Sequence, residues 1–128
     1  MANDWNQVLL SEVLTARQEK PSPDDLDTGA VRIVSKIGFN DGKIQLRNDG
    51  DTKTGMILVR PGDLIVSGIN AVKGAIAIYD EKAIVPIAAT IHYGSYIPNR
   101  ERVDIHFLWW LLRSAVFREI IMRSLPCG

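Results

Sequence analysis

Short apolar runs separated by polar turns fill the middle of the chain, from about residue 31 to residue 91. Runs of this length that are bounded by Gly, Pro, Asn or Asp are typical of β-strands. The pattern predicts strands at 31–37, 44–46, 56–59, 64–66 and 75–79, and one or two more within 83–91. Pro86 cannot donate a ladder hydrogen bond, so it marks an edge, a bulge or a break there. Asp41-Gly42 is a strong hairpin signal between the first two strands.

The stretch from Arg60 to Tyr79 is the part of this pattern around which the rest of the chain is organised. Pro61-Gly62-Asp63 forms a turn, because proline presets φ and glycine tolerates positive φ. The strand that follows ends at Ser67-Gly68, and the next one starts after Gly74. Two apolar strands therefore support one loop of small, polar and basic residues. An ordinary hairpin with solvated charges fits this stretch equally well.

The two ends of the chain differ from the middle. Residues 5–9 predict an extended piece leading into a helical turn from Ser11, and the polar, proline-containing residues 15–29 predict a surface excursion. Asp104 is placed to cap a mostly buried helix over 105–113, and Ser114 to cap a second helix over 115–123. We therefore predict an α+β fold: a small, twisted, mostly antiparallel β-sheet or open barrel with a short N-terminal helical turn and two C-terminal helices.

Composition places the chain among ordinary globular domains. Its 128 residues suit one domain, 1–128, and 46% hydrophobic with 23% charged residues excludes disorder of the whole chain. A single cysteine, Cys127, and the absence of a signal sequence or a long apolar run predict a soluble cytoplasmic protein without membrane contact. Residues 1–29 carry six acidic and two basic side chains in a chain of zero net charge. The acidic segment can therefore conceal a basic face elsewhere, although a solvated surface without a partner has the same balance.

Signatures of catalysis are absent from the sequence. The two histidines, His92 and His106, accompany no nucleophile elbow, P-loop, dinucleotide fingerprint or zinc pair. Asp49 and Asp51 lack the spacing and the closing Glu of a calcium loop. We expect a noncatalytic protein with no metal and no cofactor, in which His106 is a structural residue of the helix.

Several sequence features resemble one family when they are taken in order. They are a Trp-containing opening, the run Pro61-Gly62-Asp63-Leu64-Ile65-Val66-Ser67, a loop ended by glycine, the run Ala75-Ile76-Ala77-Ile78-Tyr79, and the segment 107–117 with its Leu-Arg-Ser core. This arrangement resembles a target recognition domain of the DNA specificity subunit of type I restriction-modification systems. The resemblance covers nearly the whole chain, and its weight comes from the order and spacing of short motifs.

The resemblance implies a noncatalytic reader of one half of a bipartite target in double-stranded DNA. Such a subunit usually holds two recognition domains separated by long helices, which bind two methyltransferase (modification) subunits. Methylation then belongs to the methyltransferase partner, and translocation and cleavage belong to the restriction motor subunit. We expect this chain to be one half-site reader of a longer protein. The shared motifs are turn and core residues, so the resemblance does not identify the residues that read bases.

Side-chain chemistry nominates the DNA-binding residues instead. Bases in the major groove are read by Arg, Lys, Asn, Gln and small hydroxyls, and phosphates are contacted by Lys, Arg, Ser, Thr, Tyr and backbone N–H groups. Three loops offer these types, at 36–47, 67–73 and 92–102. The nominated residues are Lys36, Asn40, Lys43, Arg47, Ser67, Asn70, Lys73, His92, Tyr93, Ser95, Tyr96 and Arg100. For each residue alone, plain solvation is the competing explanation.

Two other classes of function stay open on the sequence. A protein–protein interaction module without DNA readout would use apolar residues of the terminal helices, such as 108–112 and 120–122, if the domain leaves them exposed. A small hydrolase or ligand-binding fragment rests only on the likeness of the Gly-Asp-Leu-Ile turn to loops of other β-rich enzymes. Exposed Trp and Leu side chains would favour the interaction module, and a basic face built from the three loops would favour DNA.

Overall fold

The strands of this protein form where apolar residues repeat between turn residues, and they assemble into two sheets. The computed structural model describes residues 10–47 and 55–114. After a helical turn at 10–13, the described elements are β1 (Leu14–Ala16), α1 (Pro23–Thr28), β2 (Ile33–Ile37), β3 (Ile44–Arg47), β4 (Met56–Val59), β5 (Leu64–Ser67), β6 (Ile76–Ile78), β7 (Ile87–Thr90), β8 (Tyr93–Pro98) and α2 (Ile105–Arg113). A 3₁₀ turn, Ala71–Lys73, lies between β5 and β6.

Within the described part of the chain, each sheet has four strands. Sheet A has the order β1-β8-β5-β6, and sheet B has the order β3-β2-β7-β4. Every pairing is antiparallel except β2 with β7, which run parallel. Over the residues described, the two sheets stay open rather than closing into a barrel. The predicted α+β class with mostly antiparallel strands is therefore confirmed, as are the hairpin at Asp41-Gly42 and the turn at 61–63.

Three clusters of buried residues form the core, and they lie between four layers of secondary structure. Alternation along β5 sends Leu64 and Val66 toward α2 and Ile65 toward sheet B. Sheet B in turn directs Val34 and Ile37 toward sheet A, and a bulge between Val34 and Lys36 explains why residues three apart share a face. Outside sheet B, α1 covers a small third cluster. The order of layers is therefore α1, sheet B, sheet A and α2.

Three local predictions differ from the structure. The predicted surface excursion over 15–29 does lie at the surface, but it contains the end of β1 and the whole of α1, which Ser22 caps through its hydroxyl and Gly29 ends with φ 79°. Ser22 and Gly29 are the sequence signals for the two ends of this helix. The helix has no apolar stripe, so the hydrophobic pattern did not predict it. The predicted loop at 92–102 is mostly β8, because β5 and β1 pair with it on both sides.

The third difference concerns α2. Asp104 caps this helix as predicted, with its carboxylate accepting from the N–H groups of His106 and Phe107. The helix is amphipathic rather than mostly buried, since Ile105, Leu108 and Leu112 face sheet A while other large residues face solvent. His106 is exposed rather than structural. The extended piece at 5–9, the connection over 48–54 with its aspartates, and the second helix at 115–123 lie outside the described residues.

Within residues 10–47 and 55–114, neither the length nor the apolar character of any helix is sufficient to cross a membrane.

Candidate functional site

Three segments that are distant in sequence meet at one end of the molecule. β5 ends where β8 begins, with Ser67 opposite Tyr93, so the turn at 91–92 lies beside the loop that follows β5. The Gly68 N–H donates to the His92 carbonyl oxygen at 2.8 Å. A Cβ at Gly68 would lie 2.8 Å from that oxygen, so this close approach requires glycine. The turn and the loop are therefore joined backbone to backbone.

The hairpin loop between β2 and β3 joins the same end through Arg113. This guanidinium donates from Nε to the Gly74 carbonyl at 3.1 Å, and from Nη2 to the carbonyls of Phe39 at 3.0 Å and Asn40 at 2.9 Å. Its central carbon lies 4.7 Å from the centre of the Trp109 ring. One side chain of α2 thus links the hairpin loop to the loop between β5 and β6. We name the three segments 38–43, 67–75 and 91–92 the loop cluster.

The packing beneath the hairpin loop leaves no room for a side chain at Gly42. This residue has φ 62°, and a Cβ there would lie 2.8–2.9 Å from atoms of Trp109, Arg113 and the Ile76 backbone. Trp109 also donates from its indole N–H to the Ile76 carbonyl at 2.8 Å. The glycine of the Asp-Gly hairpin signal therefore serves both the turn and the docking of the loop on α2.

The outer surface of the loop cluster is polar and basic, with apolar side chains between. Asn40, Lys43, Lys73 and His92 are exposed, and Asn70 is half-exposed. The Lys73 amine lies 5.7 Å from the centre of the Phe39 ring. Ile69 is 67% exposed, and Phe39 and Ile91 of the same cluster are exposed as well. The one carboxylate of the described cluster, that of Asp41, accepts from the Lys43 backbone N–H at 3.0 Å. Lysine charge therefore prevails on this surface.

The remaining nominated residues lie elsewhere or are structural. Ser67 is buried and its hydroxyl accepts from the Asn70 N–H at 3.0 Å. Lys36 is exposed within β2, and Arg47 lies at the far end of β3, opposite Ile33. Arg100 pairs with Glu81 at 3.1 Å, at the opposite end of sheet A. In β8, Tyr93 adjoins the cluster, and Tyr96 packs against the core under α2. Ser95 belongs to the network described next.

A buried polar network around Asp63 was missed by the sequence analysis. Asp63 is 2% exposed, and its carboxylate accepts from Arg17 at 2.5 and 3.1 Å, from the Arg60 N–H at 3.0 Å and from the Ser95 hydroxyl at 2.8 Å. These four hydrogen bonds use about as many acceptor sites as a carboxylate offers. The network therefore ties β1, the β4–β5 turn and β8 together. The sequence carried no signal for it beyond a turn residue, since Arg17 and Ser95 are 46 and 32 residues away from Asp63.

Glu19 extends this network to the surface. It accepts from Arg60 at 2.9 and 2.8 Å and also from Arg17. The hydrogen bond from Arg60 is the main reason that the pKa of Glu19 falls from 4.5 to about 2. In return, the hydrogen bond to Asp63 raises the pKa of Arg17, and the hydrogen bond to Glu19 raises that of Arg60. Two arginines and two carboxylates thus neutralise each other.

A cleft of about 570 Å³ lies between this network and the loop cluster. Its walls include Arg17, Lys20, Ile57, Ile91, His92 and Tyr93. Burial raises the pKa of the Tyr93 hydroxyl, so the phenol stays neutral at physiological pH. In the part of the chain that the structure describes, no group of three or more His, Cys, Asp or Glu side chains is placed to hold a metal ion.

Comparison of the chain with protein-family models, with curated proteins and with solved structures gives no match in any of the three.

Proposed function

We propose that this protein is a noncatalytic DNA-recognition module of the cytoplasm, which reads one half of a bipartite double-stranded target. In this proposal it directs methylation and restriction by partner subunits of a type I restriction-modification system, as its sequence motifs suggest. The observation that supports the proposal is the loop cluster. It gathers Asn40, Lys43, Asn70, Lys73 and His92 from three separate segments onto one surface.

The dimensions of the loop cluster suit a short stretch of duplex. At this end of sheet A, the turn at 91–92 precedes β8, the loop 67–75 follows the neighbouring strand β5, and the hairpin loop 38–43 packs next to Ile76 of β6. Three strand spacings of ~4.8 Å make a row of roughly 15 Å. This row covers about four base-pair steps of ~3.4 Å. A half-site of that length is what one such surface can read.

The chemistry of the row matches the two kinds of contact that DNA recognition needs. Lys43 and Lys73 supply cations for phosphates or guanine, and Asn40 and Asn70 supply the amides that pair with adenine. Exposed apolar side chains, such as Ile69, can contact the methyl group of thymine. The acidic residues Asp24, Asp25 and Asp27 lie instead on α1, outside sheet B. These three negative charges thereby lie on a different layer of the fold from the loop cluster.

The loops of the cluster are fixed in place by the structure beneath them, as the reading of DNA bases requires. Backbone hydrogen bonds close the loop between β5 and β6, and Arg113 fixes the hairpin loop from beneath. Pre-ordered loops lose little conformational entropy when they bind. The module itself needs no chemistry, because transfer and cleavage belong to the partner subunits in this proposal.

Selection from a randomised duplex pool at low salt tests the proposal. The wild-type protein is expected to enrich a short motif of about four base pairs. Lys73→Ala should weaken binding and lower the slope of log K against log salt by about one. Lys82→Ala is the matched control, because Lys82 is also exposed but lies on the turn after β6, at the other end of the sheet.

Equal loss of binding in both lysine variants would indicate unspecific charge attraction and would contradict the proposal. Binding that is absent even at low salt, both for this chain and for its complex with methyltransferase subunits, would also contradict it. If the wild type enriches a motif and Lys73→Ala enriches the same motif with the same affinity, the surface that reads DNA lies outside the loop cluster.

A protein-interaction module is the second candidate, and one observation favours it. Phe107 and Trp110 on the outer face of α2 are 58% and 61% exposed, and their ring centres lie 6.2 Å apart. Exposed aromatic pairs of this kind are common at protein interfaces. If this function is the correct one, Trp110→Ala should abolish association with partner subunits while Lys73→Ala has no effect on any binding measurement.

A further inference from the structure

Large apolar side chains project from the outer surface of the loop cluster. Ile69, Ile91 and Phe39 are all exposed, although they come from three different segments of the chain. The backbones of these segments are joined to one another by the contacts described above. A single exposed aliphatic side chain is ordinary, but several on one surface are typical of a binding site. The end of the molecule that carries the lysines therefore also carries apolar side chains that a bound partner would cover.

Ile69 stands on backbone that is fixed on both sides. Immediately before it, the Gly68 N–H donates to the turn that precedes β8 at 2.8 Å. Immediately after it, the Asn70 N–H donates to the Ser67 hydroxyl at 3.0 Å. The next residue, Ala71, is fully buried in the core cluster between sheet A and α2. The Ile69 side chain is therefore held in solvent by a loop whose backbone is anchored to the fold.

Positively charged and polar groups share the surface with Ile69. Lys73 follows in the same loop, and Lys43 and His92 lie on the other two segments, all three exposed. The carboxylate of Asp41 is the only one in the three segments, and it accepts from a backbone N–H of its own hairpin loop. An apolar tip among cations complements a duplex, in which stacked bases lie between two rows of phosphates.

We propose that Ile69 is a wedge, which enters between two neighbouring base pairs of the bound duplex and bends the DNA that the loop cluster reads. This inference rests on the proposed function and adds a residue that selects base-pair steps by how easily they open. Apolar side chains of DNA-binding proteins, Ile among them, unstack single steps in this way and bend the duplex by about 20–90°. A wedge has to keep its position while the stack opens, and the anchored backbone around Ile69 provides this. Pyrimidine–purine steps open most easily, so the preferred sequence should contain one at the wedge position.

Bending and unstacking are measured with the full chain on the duplex that it selects from the randomised pool. The probes are a short duplex that carries the enriched motif and a dye at each end, and copies of it with one mismatched pair at each position in turn. The wild-type protein should increase energy transfer between the dyes, because a bend brings the ends together. It should also bind the copy mismatched at the wedge position roughly tenfold more tightly than the intact duplex, since the stacking of one step corresponds to about that factor in Kd.

Substitutions of exposed isoleucines provide the variants. Ile69→Ala should abolish the bend and the preference for the mismatched copy, whereas Ile69→Leu should retain both because it keeps the apolar volume. Ile84→Ala serves as the control, since Ile84 is also exposed but lies on the loop that follows β6, away from the loop cluster. This control should bend the duplex as the wild type does. Circular dichroism should show the same fold for all of these variants, because the substituted side chains lie in solvent.

The outcomes separate the wedge from the proposed function. A duplex that is bound through its motif but stays straight would overturn the wedge and leave DNA reading intact, because contact of Ile69 with a thymine methyl group keeps the stack closed. Equal bending by the wild type and Ile69→Ala would overturn it as well. Absence of duplex binding would refute both proposals together. Vesicles of phosphatidylserine and phosphatidylcholine are the last probe, and binding to them that requires Ile69, without any bending of the duplex, would assign the apolar tips to lipid instead.

Discussion

Replacement of Asp63 by alanine should be among the most damaging single changes in this protein. The carboxylate is almost fully buried and accepts four hydrogen bonds, two of which come from the largely buried Arg17 guanidinium. Removing one partner of a buried ion pair costs about 3–5 kcal/mol, because the other charge loses its compensation. Glu19 remains on Arg17 and reduces this cost, so we expect about 3 kcal/mol. Total stabilities of single domains are ~5–15 kcal/mol.

The expected loss translates into a large shift of the unfolding temperature. An unfolding entropy of about 2.1 cal/mol/K per residue over 128 residues makes ~3 kcal/mol equal to roughly 11 °C in Tm. Asp63→Asn keeps the shape and one acceptor oxygen, and it should fall between the wild type and alanine. The measurement is urea and thermal unfolding followed by circular dichroism.

The control is Glu12→Ala, which breaks the exposed ion pair of Glu12 with Arg102 at 3.0 Å. Exposed pairs are worth at most ~1 kcal/mol, so the Tm of this variant should change by no more than about 4 °C. If Asp63→Ala proves as mild as Glu12→Ala, the network does not stabilise the fold, and the proposed reason for the join between β1, the β4–β5 turn and β8 is refuted.

Two further predictions concern the loop cluster and the pH dependence of stability. Arg113→Ala removes three carbonyl contacts, so amide exchange at 38–43 and 67–75 should rise while exchange in β7 stays the same, and Arg113→Lys should restore little because an ammonium lacks the planar fork. A uniform rise in exchange would contradict this. Glu19 has a pKa lowered to about 2, so its contribution to stability is complete above about pH 5 and is lost as the pH falls toward 2. The stability difference between wild type and Glu19→Gln should therefore shrink over that range, in urea unfolding at several pH values, and a difference independent of pH would contradict the assigned hydrogen bonds.

Much of the local structure was determined by the sequence alone. Apolar runs predicted β2 through β7, and the glycines at 42 and 62 predicted turns that do have positive φ. Asp104 predicted the start of α2. These features depend on residues that are neighbours in the chain, because period-two alternation, positive φ and helix capping are local properties. The same local view predicted the α+β class.

Tertiary structure decided what these elements do together. β8 was predicted as a loop because its six residues mix Tyr, Gly and Ser, and only pairing with β1 and β5, distant in sequence, makes it a strand. The Asp63 network and the Arg113 link likewise join residues separated by 30 to 80 positions. No local pattern encodes which loops meet at one end of two packed sheets, because that depends on strand order and register. The sequence could therefore nominate residues for DNA contact, but only the fold separated Asn40, Lys43 and Lys73, which share a surface, from Arg47 and Arg100, which do not.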